Sequence, residues 1–225
     1  RCPLQYHWSA VRPLPRPPSR AAELGVEVHR WIEDRSEHQA PVVDPADADV
    51  SGRDPGEGGP EPSGVPLPEA LRASFLAGPY AGIRPVAVEA PFEVAVDGRL
   101  VRGRVDAVYE RGGYTEVVDF KTGRRPEPGD AGGSVQLDLY ALAAVESWGT
   151  PPQRLRTNNC YLRPGRPPEL DSRTWDNRSV AAVRAALERW LAGVAERDFH
   201  ARPGPWCSRC DFLPFCEAGR AATGA

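Results

Sequence analysis

The sequence predicts an α/β fold with a mixed central sheet flanked by helices. Three observations carry this. Two alternating runs flank Asp97-Gly98, a third run follows Gly112-Gly113, and apolar stripes at helical spacing occur before and after these strands. The 225 residues fit one domain, 1–225, of ordinary size.

The elements follow in order. Residues 9–19 are Pro-rich and read as a turn-rich lead-in. A helix is expected from about Arg20 to Glu37, with Leu24, Val28, Trp31 and Ile32 as its stripe. Residues 41–68 hold seven Pro, five Gly, six acidic residues, one Arg and no aromatic residue. Such a segment cannot bury enough apolar surface to offset its ordering entropy, so a disordered insert is expected. Ala70, Leu71, Phe75 and Leu76 predict a short helix. Residues 86–96 and 99–110 alternate around Asp97-Gly98, a strong hairpin signal, and 114–120 is the third strand. A helix spans about Gly133 to Trp148, and a fourth strand spans Leu155 to Leu162. The last helix, about Arg178 to Arg197, carries Val180, Val183, Leu187, Trp190, Leu191 and Val194 on one face, with Asp176 or Asn177 as cap.

Composition removes several classes. No apolar run approaches the roughly 18–20 residues of a membrane span, and no signal-peptide pattern opens the chain. Five Cys are too few, and odd in number, for a disulfide scaffold. Met is absent and residue 1 is Arg, which predicts a piece of a longer protein. The net charge of −3 argues weakly against a nucleic-acid partner. The 41–68 insert holds most of that charge; outside it stand 27 basic and 25 acidic residues, a net of +2.

Residues 103–123 carry the chemistry. Asp106 and Asp119 lie on strands joined by a short Gly turn, so both carboxylates can reach one place. Carboxylates forced together repel unless a cation joins them, and partly open oxygen ligands suit Mg²⁺ or Mn²⁺. Lys121, two residues after Asp119, shares its strand face. An ammonium beside a metal-bound phosphate can orient attacking water and offset developing charge, which spells metal-assisted phosphodiester cleavage. A D-x-K triplet alone more often marks a solvated strand edge. Gln136 and Tyr140, four apart, share one helix face. His29 lies one turn after Gly25, which would let that helix approach another backbone closely. Glu89 and Glu93, on the preceding strand, could each face the site, although a solvated strand face is the commoner reading, and Glu27 lies on a different helical face from His29.

Near the C-terminus, Cys207, Cys210 and Cys216 have the spacing C-x2-C-x5-C. Three thiolates this close favour a metal over packing. Cys160, in a predicted strand, reads as a small hydrophobe. Cys2 is the favoured fourth ligand.

Together these residues resemble a RecB-type nuclease domain of the PD-(D/E)xK superfamily. The pieces are GVEVH (25–29), EAPFEV (89–94), GRVDAVY (103–109), VVDFKTG (117–123) and QLDLY (136–140), in the family's order. Val105, where the family motif has Pro, is a nominal departure. The resemblance implies a restriction-endonuclease-like core whose catalytic metal is held by His29, Asp106, Asp119 and the Phe120 carbonyl. It implies Lys121 as catalytic lysine, with Gln136 and Tyr140 beside the site. Arg102, Arg104, Arg124 and Arg125, which flank the acidic motifs, are candidate DNA contacts.

The AddB and Cas4 branches resemble this chain in having one Cys before the core and three after it. This implies a 4Fe–4S cluster on Cys2, Cys207, Cys210 and Cys216 that joins the termini, with residues 203–220 as the cluster segment. Zn²⁺ is the rival occupant. Trp206, Phe212, Leu213 and Phe215 would shield the cluster. The cluster would be structural, closing a long loop. The implied function is a Mg²⁺- or Mn²⁺-dependent DNA nuclease in the bacterial cytoplasm, cutting single strands delivered by a linked helicase during double-strand-break processing, with a possible partner subunit. Complexes of the AddAB and AdnAB types are the comparison, the actinobacterial AdnAB type fitting a GC-rich composition. The alternatives are a free-standing Cas4-like nuclease, a non-catalytic iron–sulfur DNA-binding module, and a zinc-ribbon interaction module.

Overall fold

Alternating runs become a sheet here because both of its faces are covered. The computed structural model describes residues 2–14, 20–37, 67–125, 134–196 and 199–224. Strands β1 (Ala87–Val96), β2 (Arg99–Arg111), β3 (Tyr114–Lys121), β4 (Leu155–Arg163) and β5 (Arg166–Thr174) form one sheet in that order. The helices are α1 (Pro3–Tyr6), which runs into a π-helical turn at His7–Val11, then α2 (Arg20–Glu37), α3 (Leu67–Leu76), α4 (Ser134–Glu146), α5 (Asn177–Ala195) and α6 (Glu217–Thr223).

Turn chemistry sets the first half of the sheet. Asp97 and Gly98 take φ of 49° and 71°, the left-handed pair that a two-residue hairpin needs. Gly112 and Gly113, at 59° and 80°, do the same between β2 and β3. β3 and β4 are parallel, so they need a crossover, and α4 supplies it. β5 returns antiparallel to β4.

The residues of β3 alternate between two cores. Val117 joins Phe92, Leu137, Leu142 and Val183 beneath α4 and α5. Val118 joins Val28, Leu71, Phe75 and Phe120 beneath α2 and α3. At the start of α5, Asp176 Oδ1 accepts the Ser179 amide at 2.6 Å, and the Ser179 hydroxyl accepts the Asp176 amide at 2.9 Å. This reciprocal cap replaces two orphan donors of the first turn.

Some expectations change. β5 is not legible in the sequence, because Pro167-Pro168 and its charges do not read as a strand. It pairs only with β4, and an edge strand tolerates proline. The lead-in expected at 9–19 is helical through Val11, and its residues 15–19 lie outside the described residues. The 41–68 insert lies outside the described residues, except that Leu67 and Pro68 begin α3, where a first-turn proline needs no hydrogen-bond partner. Trp190, placed on the apolar face of α5, is 51% exposed.

Candidate active site

The site forms where β2 and β3 part. Their pairing runs from Arg111↔Tyr114 to Ala107↔Val118 and then stops. Beyond that point Asp106 Oδ2 accepts the Phe120 amide at 2.7 Å, doing what a strand carbonyl would otherwise do. α2 crosses the opening. His29 Nε2 lies 2.6 Å from the Phe120 carbonyl oxygen, and its Nδ1 lies 3.4 Å from Asp106 Oδ2. Three of the four expected metal donors, His29, Asp106 and the Phe120 carbonyl, therefore stand together. In the described residues no set of three His, Cys, Asp or Glu side chains is arranged as ligands around one point. The fit rests on donor chemistry: an imidazole, a carboxylate and a carbonyl converge, with a second carboxylate on Asp119, beside the Phe120 carbonyl in the chain.

Asp119 is nearly fully buried and faces α4. Its Oδ1 accepts from Gln136 Nε2 at 2.6 Å and from the Tyr140 hydroxyl at 3.0 Å. Lys121 Nζ pairs with Asp119 Oδ2 at 2.6 Å and donates to Gln136 Oε1 at 2.7 Å. The two-residue strand period and the four-residue helix period thus meet at one point. Gln136 ties the lysine to the carboxylate, and Tyr140 holds the carboxylate from behind.

The electrostatics are those of an anion pair. Burial pushes the Asp106 carboxyl up to about 6, and the Asp119 charge adds to this; His29, the Phe120 amide and Lys121 act against it. Burial and then the Asp119 carboxylate raise Tyr140, so its hydroxyl stays protonated and donating.

The cleft outside His29 has a volume of about 360 Å³ and is also lined by Gly25, Arg30, Glu33 and Glu89. Of the two readings open for Glu89, the cleft lining fits the one that turns it to the site and not the ordinary solvated strand face. It sits between the pairs Val88↔Ala107 and Ala90↔Val105 with φ of 47°, a left-handed value rare for a side-chain-bearing residue. Its carboxylate takes Arg104 Nη1 at 3.2 Å. Glu27 pairs with Arg72, on the α3 side. Of the candidate DNA contacts, Arg102 pairs with Glu93, Arg104 with Glu89 and Arg125 with Asp171; Arg124 also has an interaction partner. The close approach expected of Gly25 is not forced: a methyl group there would stand 3.4 Å from the Thr122 hydroxyl, an ordinary contact.

Two features escaped the sequence reading. Phe92 lies over Gly103, its partner across β1 and β2, and meets the Tyr140 ring edge-on at 6.1 Å. Glu116 is buried at the other end of β3, accepting from Tyr80 at 2.9 Å with Arg111 and Arg156 at 3.4 Å. The first needed the register and the second needed Tyr80, remote in sequence.

The chain ends meet at the cysteines. Cys2, Cys207, Cys210 and Cys216 line one small cavity with Trp8, Trp206 and Leu213. The Arg202, Gly204 and Gly219 amides point at the sulfurs of Cys2, Cys207 and Cys216 at 3.4, 3.4 and 3.3 Å. Such donors suit thiolates better than neutral thiols. Cys160 lies apart in the core beside Phe120, with burial raising its thiol to about 12. Phe215 is exposed and does not shield the cavity, whereas Trp8, which lines it and lies tilted against Phe212 at 5.9 Å, does.

A mixed sheet with a carboxylate on each of two parting strands, a lysine two residues on and a Gln–Tyr helix behind it defines a nuclease class of fold. The family model of the PD-(D/E)XK nuclease superfamily matches residues 1–217, and the chain belongs to that superfamily. It is similar to the Gene 69 protein of Mycobacterium phage D29, 32% identical over 137 residues, covering 58% of this chain and 47% of the relative. It is also similar to the Gene 69 protein of Mycobacterium phage L5, 42% identical over 139 residues, covering 58% and 44%. The chain thus spans about half the length of these curated relatives. A solved protein from Eubacterium rectale, provisionally assigned as an exonuclease, matches with a TM-score of 0.56 at 11% identity over 98% of this chain and 80% of the other. That likeness shows the fold.

Proposed function

We propose that this chain is a divalent-metal-dependent deoxyribonuclease that hydrolyses phosphodiesters in single-stranded DNA. The observation that carries this is the convergence of His29, Asp106 and the Phe120 carbonyl beside the Asp119–Lys121–Gln136–Tyr140 network. His29, Asp106, Asp119 and the Phe120 carbonyl would hold Mg²⁺ or Mn²⁺. A bound ion supplies Lewis acidity at the phosphoryl oxygen and lowers the pKa of water. Lys121 donates toward the attacking water from a position set by Gln136 and Asp119. Tyr140, with Gln136, holds the Asp119 carboxylate in place through its Oδ1. In the reaction a water oxygen adds to phosphorus, one ester P–O bond breaks, and the departing oxygen takes up a proton.

The four cysteines are read as the ligands of a structural 4Fe–4S cluster. Support comes from their shared cavity and the amides aimed at three sulfurs. About four irons per chain with visible absorbance would agree, and one zinc in a colourless protein would overturn it.

Delivery of DNA by a linked helicase, in break repair, rests on the resemblance alone. The described residues contain no helix long and apolar enough to cross a membrane.

The test is incubation of the chain with labelled single-stranded DNA and Mg²⁺ or Mn²⁺, beside Asp119→Ala. Metal-dependent cleavage lost in the variant is expected. Equal cleavage by both proteins, or none by either under any divalent ion, would refute the proposal.

A further inference from the structure

We infer that a groove between α1 and the C-terminal half of α5 is a docking track for single-stranded DNA. This rests on the nuclease reading and names where its substrate is held. The groove has a volume of about 440 Å³, and its walls include Cys2, Tyr6, Arg189, Trp190, Phe199 and Arg202. Trp190 is the residue that breaks the pattern of α5: it belongs to the apolar stripe, yet it is half exposed. Tyr6 meets it edge-on at 5.3 Å, and the Phe199 ring lies 6.3 Å from Tyr6. Three rings therefore line one open groove, and a base can stack on an aromatic face whatever its identity.

Charge selects the occupant. No acidic side chain lines the groove among the described residues, and its two charges are both guanidinium. Arg202 donates to His200 Nε2 at 3.0 Å, an imidazole and not a carboxylate, and Arg189 forms no ion pair among the described residues. The arginines beside the acidic motifs differ, since Arg102, Arg104 and Arg125 are each neutralised by a carboxylate of this chain. Rings interleaved with unneutralised guanidinium groups match a flexible polyanion carrying stackable bases. A duplex keeps its bases stacked inside and cannot use the rings.

The groove also depends on the chain ends. Cys2 lines both this groove and the cysteine cavity, and the Arg202 amide points at its sulfur. The groove is thus built by the same closure that gathers the cysteines.

The experiment measures binding of the metal-free chain to fluorescent oligo(dT) and to a duplex of equal length across a salt series. Trp190→Ala is expected to weaken oligo(dT) binding roughly tenfold, with Trp190→Phe retaining most of it. Arg189→Gln, on the exposed side of α5, is expected to flatten the slope of log K against log salt by about 0.7. Unchanged affinity in Trp190→Ala together with an unchanged slope in Arg189→Gln would overturn the inference, as would preference for the duplex. The nuclease reading fails separately, through absence of metal-dependent cleavage in a chain that still binds oligo(dT) through Trp190.

Discussion

Asp106 caps the parted end of the strand pair by accepting the Phe120 amide at 2.7 Å. One carboxylate therefore has two tasks, satisfying a backbone donor and presenting an oxygen to the site. The tasks separate by substitution. Asp106→Asn keeps an acceptor and should melt near the parent while losing cleavage. Asp106→Ala should lose cleavage and also about 1–2 kcal/mol of stability through the orphaned amide. Thermal melts and a cleavage assay on both variants check this; an active Asp106→Asn would contradict the role.

The same carboxyl makes stability depend on pH. Its pKa rises from an ordinary 3.8 to about 6 on folding, so the folded state holds the proton more tightly than the unfolded chain. Its stabilising contribution is complete below the unfolded value and is lost as pH rises through about 6. The loss amounts to ~3 kcal/mol at most. Metal-free protein should therefore lose more stability between pH 5 and pH 7.5 than Asp106→Asn does (both about a unit or more from the titration midpoint). A divalent ion should restore more at the higher pH, where no proton must be displaced. Identical pH slopes for parent and variant would dispose of this account.

Gly103 matters for what lies over it. A Cβ there would stand 2.4 Å from Phe92 Cζ, so any side chain displaces the ring that packs on Tyr140. Gly103→Val should cost about 1–3 kcal/mol by overpacking and reduce cleavage, although it touches no proposed ligand. Normal activity at full stability would show that Phe92 does not hold Tyr140.

Glu116 should affect stability alone. Glu116→Ala removes the acceptor of the buried Tyr80 hydroxyl and should cost about 2 kcal/mol. Cleavage per folded molecule should be unchanged, since Glu116 lies at the opposite end of β3 from Lys121. Reduced turnover in fully folded protein would argue otherwise.

The five cysteines should divide four to one. Cys2→Ser or Cys210→Ala should lose iron and lower the melting temperature, while Cys160→Ala should keep its iron. Metal analysis of the three purified variants decides it. Iron retained in Cys2→Ser would remove Cys2 from the ligand set.

Local chemistry made much of this legible in the sequence. Asp97-Gly98 and Gly112-Gly113, each between alternating runs, favour the left-handed turns they form, so the three-strand meander follows. The strand period puts Lys121 beside Asp119, and the helix period puts Gln136 beside Tyr140. β5 stayed hidden because its prolines are acceptable only on an edge, and which strand is an edge is a property of the whole sheet.

By itself, then, the sequence determined the turns, the periodic faces and the list of groups able to hold a metal, since each depends on residues a few positions apart. Tertiary structure alone decided that β2 and β3 part after Ala107↔Val118, that Glu89 takes a left-handed backbone conformation within β1 at the cleft, and that Cys2 meets Cys207, Cys210 and Cys216 while Cys160 stays buried elsewhere. It also decided which arginines are neutralised and that Trp190 faces an open groove. The physical reason is shared: burial and charge pairing depend on which segments pack together, and those segments lie tens to hundreds of residues apart in the chain.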